Sequence, residues 1–300
     1  FNSLLKIWSC TFPSESENEC YETVRQLLDY IPHYFGDKQD SDEKFKYDAK
    51  KCAKKIQEII PENSRQGYDI RDVINCVIDE DTFLEVMKEF AINCVTGFAK
   101  IEGRTVGIVA NNPKGLGGVM DCDASDKIAR FIRYCDSFDI PLLTFVDVPG
   151  FIPGPQEEQK GIIRHGAKVI YAYSEATVPK LTVITRKAYG GAYIAMCSQH
   201  LGADFVYAWP KAEIAVMGAE GAIEILYAKE LKDPAKAGEV QAATATYKQE
   251  IMTPSIAAKR GYITEVINPE ETRSRIVAGF DFLETKLFTD QPVKKHGNIP

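Results

Sequence analysis

The chain of 300 residues lacks the sequence patterns that identify metal and redox sites. Its eight cysteines form no C-x-x-C pair, and they do not combine with the four histidines at the spacing of metal ligands. We therefore predict that the chain holds no metal. Most of the cysteines lie in apolar runs, which indicates reduced, structural thiols in a cytosol-like compartment.

The sequence also lacks an apolar run long enough to cross a membrane, which takes about 20 residues. Acidic residues exceed basic ones by 43 to 36, so the net charge is −7. This balance argues against a nucleic-acid partner, because such surfaces are basic. The first residues, Phe1–Leu5, do not resemble a signal or transit peptide. The sequence does not decide between a bacterial cytoplasm and a mitochondrial matrix.

Several motifs of nucleotide-binding and hydrolytic enzymes are absent as well. The patterns G-x-x-x-x-G-K-[ST], G-x-S-x-G and H-E-x-x-H do not occur. The glycine run at 115–118 fails as a dinucleotide loop, because Met120 stands where G-x-G-x-x-G needs its third glycine. The nearest match to a biotin attachment site, Val86–Glu89, lacks the second methionine of Ala-Met-Lys-Met. We expect neither a dinucleotide at this loop nor covalently attached biotin.

From Cys94 onward, apolar runs are followed by glycine- or proline-bearing corners and then by helical stretches. The units recur about every 35–40 residues, a length that suits strand–crossover–strand units. This pattern predicts an α/β sheet covered by helices. The runs that begin three of these units are Val106–Ala110, Leu142–Val146 and Leu181–Ile184.

The part of the chain before Cys94 has a different character. Helical spacing of apolar residues predicts helices at Glu19–Ile31, Asp69–Ile78 and Glu80–Met87. The charge-rich stretch 35–67 is expected to be an extended connector. We therefore divide the chain into a loosely packed helical lead and connector, 1–93, and a main domain with a helical tail, 94–300.

The segment Arg186–Met196 joins a strand-like run to a helix-compatible run of small residues through Gly190–Gly191. Two glycines allow a sharp turn and a close approach of a ligand to the main chain. The first N–H groups of a helix have no partner inside it, so such a corner can hold a developing oxyanion. A tight turn without chemistry is the alternative interpretation.

Three blocks around this corner carry a resemblance: DVPGFIPG at 147–154, GIIRHGAK at 161–168 and AEIAVMG at 212–218. In this order and spacing the chain resembles the carboxyltransferase β subunits of biotin-dependent acyl-CoA carboxylases, such as propionyl-CoA carboxylases. The resemblance covers the C-terminal half of such a subunit. It implies the crotonase-like (ClpP/crotonase) fold, a superhelix of strand–strand–helix units.

The resemblance implies transfer of a carboxyl group from carboxybiotin to a coenzyme A ester, propionyl-CoA or acetyl-CoA. Such chemistry needs no side-chain base, since biotin itself is thought to take the α-proton. The implied partners are a biotin carboxylase or biotin carrier subunit that brings the biotin, an N-terminal carboxyltransferase half, and further copies of the chain, from dimer to hexamer. A decarboxylase α subunit of the methylmalonyl-CoA type and a non-catalytic assembly half remain as alternatives.

Matching residues to the family one at a time gives the expected site. The N–H groups of Gly191 and Ala192 would face the biotin carbonyl as the catalytic groups. For Asp147, a turn or cap role is the alternative to a ligand contact. The expected biotin-binding set is Tyr189, Gly190, Gly191, Asp147, Pro149, Gly150 and Phe151, and the expected acyl pocket is Tyr193 and Ile194.

Two residues depart from the family pattern. Ile194 stands where many propionyl-CoA carboxylases have aspartate, so this wall is expected to be apolar and to admit acetyl-CoA or a longer acyl chain. Lys160 replaces a glycine of the family. It is interpreted either as an exposed lysine without a role or as a charge near the biotin channel. His165, between Arg164 and Gly166, is expected to be a structural hydrogen-bonding residue rather than a base.

Overall fold

The computed structural model describes residues 11–34 and 46–286. Within these residues, eight strands form one sheet: β1 (Leu84–Val86), β2 (Cys94–Ile101), β3 (Arg104–Asn111), β4 (Leu142–Val148), β5 (Lys180–Tyr189), β6 (Phe205–Ala208), β7 (Glu213–Ala215) and β8 (Glu265–Val266). The strand order is β1-β2-β3-β4-β5-β6-β8, and β7 pairs with β5.

The sheet is antiparallel at one end and parallel over the rest. Strands β1, β2 and β3 pair antiparallel, whereas β3, β4, β5, β6 and β8 pair in parallel. Every residue of β4 is buried. Such continuous apolar strands are typical of a parallel sheet covered on both faces.

The helices of the described residues are α1 (Glu17–Leu28), α2 (Ala49–Ile59), α3 (Ile70–Ile74), α4 (Cys122–Ser137), α5 (Pro155–Lys160), α6 (Ile162–Glu175), α7 (Gly190–Ala195), α8 (Ala219–Leu226), α9 (Ala237–Glu250), α10 (Pro254–Lys259) and α11 (Thr272–Phe282). Local chemistry sets several of their ends. The Asp121 carboxylate, for example, accepts the Ala124 N–H at the start of α4, as an N-cap residue does. None of these helices has the length and apolarity needed to cross a bilayer.

Two apolar clusters cover the two faces of the sheet. One joins β3 and β4 to helices α4 and α6, with Val109, Ile128 and Val169 fully buried. The other joins the opposite faces of the strands to α3 and α11, with Ile108 and Ile276 fully buried. Successive β3 residues therefore enter different clusters, as the period of a strand requires.

The predicted units of the main domain are confirmed. The three apolar runs lie in β3, β4 and β5, and α4 and α6 are the crossover helices. The helical stretch after β4 is divided in two, because Gly161 adopts φ +89° between α5 and α6. The sequence patterns did not predict α10 or the two-residue strand β8.

The lead differs from the sequence-based prediction in three ways. The helix expected at Glu80–Met87 is wrong, because this segment contains β1, whose Leu84 pairs with Phe98 of β2. The stretch expected to be an extended connector contains α2, whose Ile56 is buried; residues 35–45 lie outside the described part. The expected loose packing is also wrong at α3, whose Ile70 is fully buried. The division at residue 94 stays a prediction.

A buried ion pair ties the end of the chain to the lead. Arg273 of α11 contacts the Asp79 carboxylate at 2.5 Å, and both side chains are nearly inaccessible. Asp79 also accepts the Gly103 N–H at 2.9 Å, and Arg273 donates to the Val77 carbonyl at 2.6 Å. One pair therefore holds α11, the turn between β2 and β3, and the segment after α3.

We predict that Arg273→Leu lowers the free energy of unfolding by about 3–5 kcal/mol, because Asp79 would remain as an unpaired buried charge. Arg275→Leu on the same helix is the matched control. Its pair with Glu265 is half exposed, so its removal should cost at most about 1 kcal/mol. Urea unfolding of both variants measures the difference, and equal losses would contradict the structural role of the buried pair.

Candidate active site at the glycine corner

Strand β5 ends at Tyr189, and helix α7 begins at the next residue, Gly190. Gly190 adopts φ +59°, and a Cβ atom there would lie 2.9 Å from the Val216 carbonyl oxygen. Both its left-handed conformation and this close approach favour glycine. The predicted strand–turn–helix corner is therefore present, with the glycine pair at the helix start.

Gly191 and Ala192 are the second and third residues of α7. At these positions the N–H groups have no acceptor within the helix and point out of its N-terminus. Ala192 is fully buried, so its side chain faces the core. The arrangement can offer two backbone donors to one oxygen atom, and its role in catalysis stays a prediction.

The Phe151 ring connects this corner to helix α6. A Cβ atom on Gly166 of α6 would lie 2.9 Å from the ring, and one on Gly191 would lie 4.0 Å from it. The backbone of Phe151 bridges to Met120, which donates its N–H to the Gly150 carbonyl at 3.0 Å. The structure thus brings Phe151 and Gly191 together, with Pro149 and Gly150 half-buried beside them.

Asp147 lies beneath the corner and is fully buried. One carboxylate oxygen accepts from Arg186 Nε at 2.8 Å, and the other accepts the Lys187 N–H at 3.2 Å. Burial raises the pKa of the Asp147 carboxyl, and the Arg186 charge opposes this shift. The carboxylate is inaccessible to solvent in this arrangement. The pair joins the ends of β4 and β5.

The two tyrosines of the expected site turn their hydroxyls into the protein. The Tyr189 hydroxyl donates to the Glu213 carboxylate, and the Tyr193 hydroxyl donates to the Tyr262 carbonyl at 3.3 Å. Burial raises the pKa of Tyr193 to about 12, so its hydroxyl keeps its proton near neutrality. Ile194, by contrast, is 38% exposed. Of the two expected acyl-pocket residues, Ile194 is therefore the one that reaches the surface.

Polar side chains of helices α5 and α6 have partners within α5 and on α4. His165 Nδ1 lies 2.8 Å from an Asp126 oxygen that also accepts from Lys168 Nζ at 2.9 Å. These contacts suit a structural histidine that links α6 to α4. Lys160 ends α5 and pairs with Glu157 at 2.6 Å. Within residues 11–34 and 46–286, no group of His, Cys, Asp and Glu side chains is arranged to hold a metal.

A cavity of about 620 Å³ was not predicted from the sequence. It opens beside β5 at Thr185 and Arg186, between the part of β5 that pairs with β6 and the part that pairs with β7. Trp209 and Glu213 line it together with residues of α2. Its walls come from segments up to about 200 residues apart in the chain, so no local pattern could have revealed it.

Comparisons with known proteins cover nearly the whole chain. Residues 9–299 match the family model of the carboxyl transferase domain. The carboxyltransferase subunit of propionyl-CoA carboxylase from Haloferax mediterranei is 51% identical over 293 residues, which are 96% of this chain and 56% of the relative. The methylmalonyl-CoA decarboxylase subunit alpha from Veillonella parvula is 48% identical over 295 residues, 96% of this chain and 55% of that protein.

A solved structure shares the fold. The hexameric transcarboxylase 12S, with hydrolysed methylmalonyl-coenzyme A bound, superposes with a TM-score of 0.89 at 44% identity, covering 100% of this chain and 57% of that one. This similarity confirms the crotonase-like fold. The chain spans a little over half the length of the relatives it matches.

We predict that Gly166→Ala destabilises the protein by about 1–3 kcal/mol, because the new methyl group would push the Phe151 ring toward Gly191. Gly238→Ala in α9 is the matched control, since a Cβ atom there meets no atom within 4 Å. Alanine should stabilise that helix by up to about 1 kcal/mol. Thermal unfolding separates the two variants, and a Gly166→Ala protein as stable as Gly238→Ala would contradict the close contact.

Proposed function

The chain belongs to the carboxyl transferase domain family, and from that premise we propose that it is the biotin-side half of an acyl-CoA carboxyltransferase. The observation that carries the proposal is the glycine corner, where Gly191 and Ala192 begin a helix at the end of a buried strand. The proposed reaction moves a carboxyl group between biotin and a coenzyme A ester. The relatives named above act on propionyl-CoA or methylmalonyl-CoA, so short acyl-CoA esters are the proposed substrates.

The residues of the corner fit biotin through its carbonyl oxygen. Two N–H groups from consecutive residues can donate to one oxygen, and Gly190 and Gly191 carry no side chain that would block it. Because these donors belong to a folded backbone, they need no reorganisation when negative charge develops on that oxygen. Carboxybiotin, when bound, supplies the carboxyl group.

We assign supporting roles to the neighbouring residues. Phe151 would exclude water from one side of the corner and fix the spacing of α6 and α7. Asp147, held by Arg186, would keep the ends of β4 and β5 in register rather than touch biotin. Tyr189 is buried and Gly150 is half-buried, so both would shape the pocket through their backbones.

The site is proposed to be completed by a second chain or domain that seats the coenzyme A ester. Three apolar side chains near the corner are exposed: Ile163 at the start of α6, Ile194 on α7, and Val216, whose carbonyl abuts Gly190. Exposed apolar groups near a polar site are typical of surfaces that another protein covers. We propose an N-terminal carboxyltransferase half in that place, a biotin carrier as the source of biotin, and an oligomer as the working form.

Proline at Ala192 provides the direct test of the backbone donors. Ala192→Pro removes one N–H group, and loss of one oxyanion donor typically lowers kcat about 10²–10³-fold. Ala192→Ser keeps the N–H group and should retain most of the activity. Carboxyl transfer is measured with the chain assembled into its full carboxyltransferase. Full activity in a correctly folded Ala192→Pro protein would refute the assignment.

Ile194 is expected to influence the choice of acyl group. An apolar wall discriminates by about 1–3 kcal/mol for each methylene, so Ile194→Asp should alter the ratio of kcat/KM for acetyl-CoA and propionyl-CoA. The KM for biotin should change less than this ratio. Exposed Ile225 on α8 gives a matched Ile→Asp control away from the corner. Equal effects of Ile194→Asp on both esters would exclude a role in the acyl pocket.

A further inference from the structure

We infer that Glu213 is a positioning residue for the glycine corner, and that it acts by holding the side chain of Tyr189. Tyr189 is the last residue of β5 and the N-cap residue of α7, directly before Gly190 and Gly191. Any rotation of its backbone would re-aim the N–H groups that follow. The expected loss of activity rests on the proposed function, whereas the positioning of the corner by Tyr189 rests on the contacts alone.

The contact joins two paired strands at the point where the corner begins. Lys187 pairs with Glu213 and Tyr189 pairs with Ala215, so Glu213 lies one diagonal step from Tyr189 across the parallel pair. The Tyr189 hydroxyl donates to the Glu213 carboxylate. Burial and the neighbouring Glu213 charge raise the pKa of Tyr189, so the hydroxyl stays protonated and donates a charge-assisted bond.

The Tyr189 ring is held on its other sides by the helical segments after β7. It forms a small apolar cluster with Ala219 of α8 and with Met252, which follows α9. A Cβ atom on Gly218 would lie 3.4 Å from the ring, so the chain passes close to it there. The Tyr189 side chain is therefore contacted both at its hydroxyl and along its ring.

Helix α7 has few anchors of its own at its start. It has six residues, and no side chain caps its N-terminus. Gly190 and Gly191 have no side chains, so they cannot fix the first turn by packing. The direction of that turn therefore depends on the buried Ala192 and Tyr193 that follow the glycines and on Tyr189 before them, whose side chain Glu213 holds. Upstream, the contact between Asp147 and the Lys187 N–H holds the same strand two residues earlier.

Two substitutions remove the bond from opposite sides. Glu213→Ala deletes the acceptor, and Tyr189→Phe deletes the donor while keeping the ring. Glu213→Gln is the conservative variant, because its amide oxygen can still accept from the hydroxyl. Glu224→Ala is the matched control, since that carboxylate is exposed on the same helix, α8.

In the assembled carboxyltransferase, we expect Glu213→Ala and Tyr189→Phe each to lower kcat about 10- to 100-fold, the size expected when a catalytic group is misplaced. KM for the acyl-CoA should change little, because its coenzyme A part is proposed to bind the other half and neither substitution alters Ile194 of the acyl pocket. The double variant should be no slower than either single variant, since both remove one bond. Glu213→Gln should recover most of the rate, and Glu224→Ala should lose none. A Glu213→Ala enzyme with the parental kcat would overturn the inference.

A second measurement does not depend on activity. In the chain labelled with ¹⁵N-glycine, the amide resonances of Gly190 and Gly191 should move in Glu213→Ala and Tyr189→Phe and stay in place in Glu224→Ala. Unmoved resonances would overturn the inference whatever the activity. If the resonances move but the unsubstituted protein transfers no carboxyl group, the positioning role is upheld and the proposed function is refuted. If Glu213→Ala does not fold, Tyr189→Phe decides both measurements.

Discussion

The buried pair of Asp147 and Arg186 is the constraint on which the site depends. It joins the ends of β4 and β5, where the parallel sheet stops and the loops that form the site begin. A carboxylate and a guanidinium out of contact with water are costly unless each satisfies the other, so the two strand ends cannot separate without exposing an unpaired charge. Strand β5 therefore arrives at Tyr189 in a fixed position.

At the end of this strand, the corner depends on glycines for its backbone conformation and on larger side chains for its packing. Gly190 takes the left-handed turn beside the Val216 carbonyl, and Gly166 and Gly191 leave room for the Phe151 ring. Backbone N–H donors that this packing already orients can stabilise developing negative charge without rearranging first. This is the general advantage of a preorganised site. The chemistry proposed for this chain asks for backbone donors and a shaped pocket rather than for an acid–base pair of side chains.

The site also depends on parts of the chain outside the sheet. The segment after β5 returns as β7, places Glu213 against Tyr189, and continues into α8 and α9, which pack on the same ring. These helices have few buried residues of their own, yet they pack against the residue that precedes the glycine corner. Helices α8 and α9 are thus connected to the corner through the Tyr189 side chain.

The sequence by itself determined the features whose causes are local. Apolar runs predicted β3, β4 and β5, and the glycine pair predicted the turn at Gly190, because strand periodicity and turn chemistry act between near neighbours. The family pattern around the corner placed Gly191 and Phe151 in one site, and the structure brings them together. What could not be predicted was which distant residues meet. The strand β1, the cavity beside Thr185, the bond from Tyr189 to Glu213, and the pair of Arg273 with Asp79 all join segments that only the folded sheet makes adjacent. The choice of partner between distant segments decided these features, and that choice leaves no local pattern in the sequence.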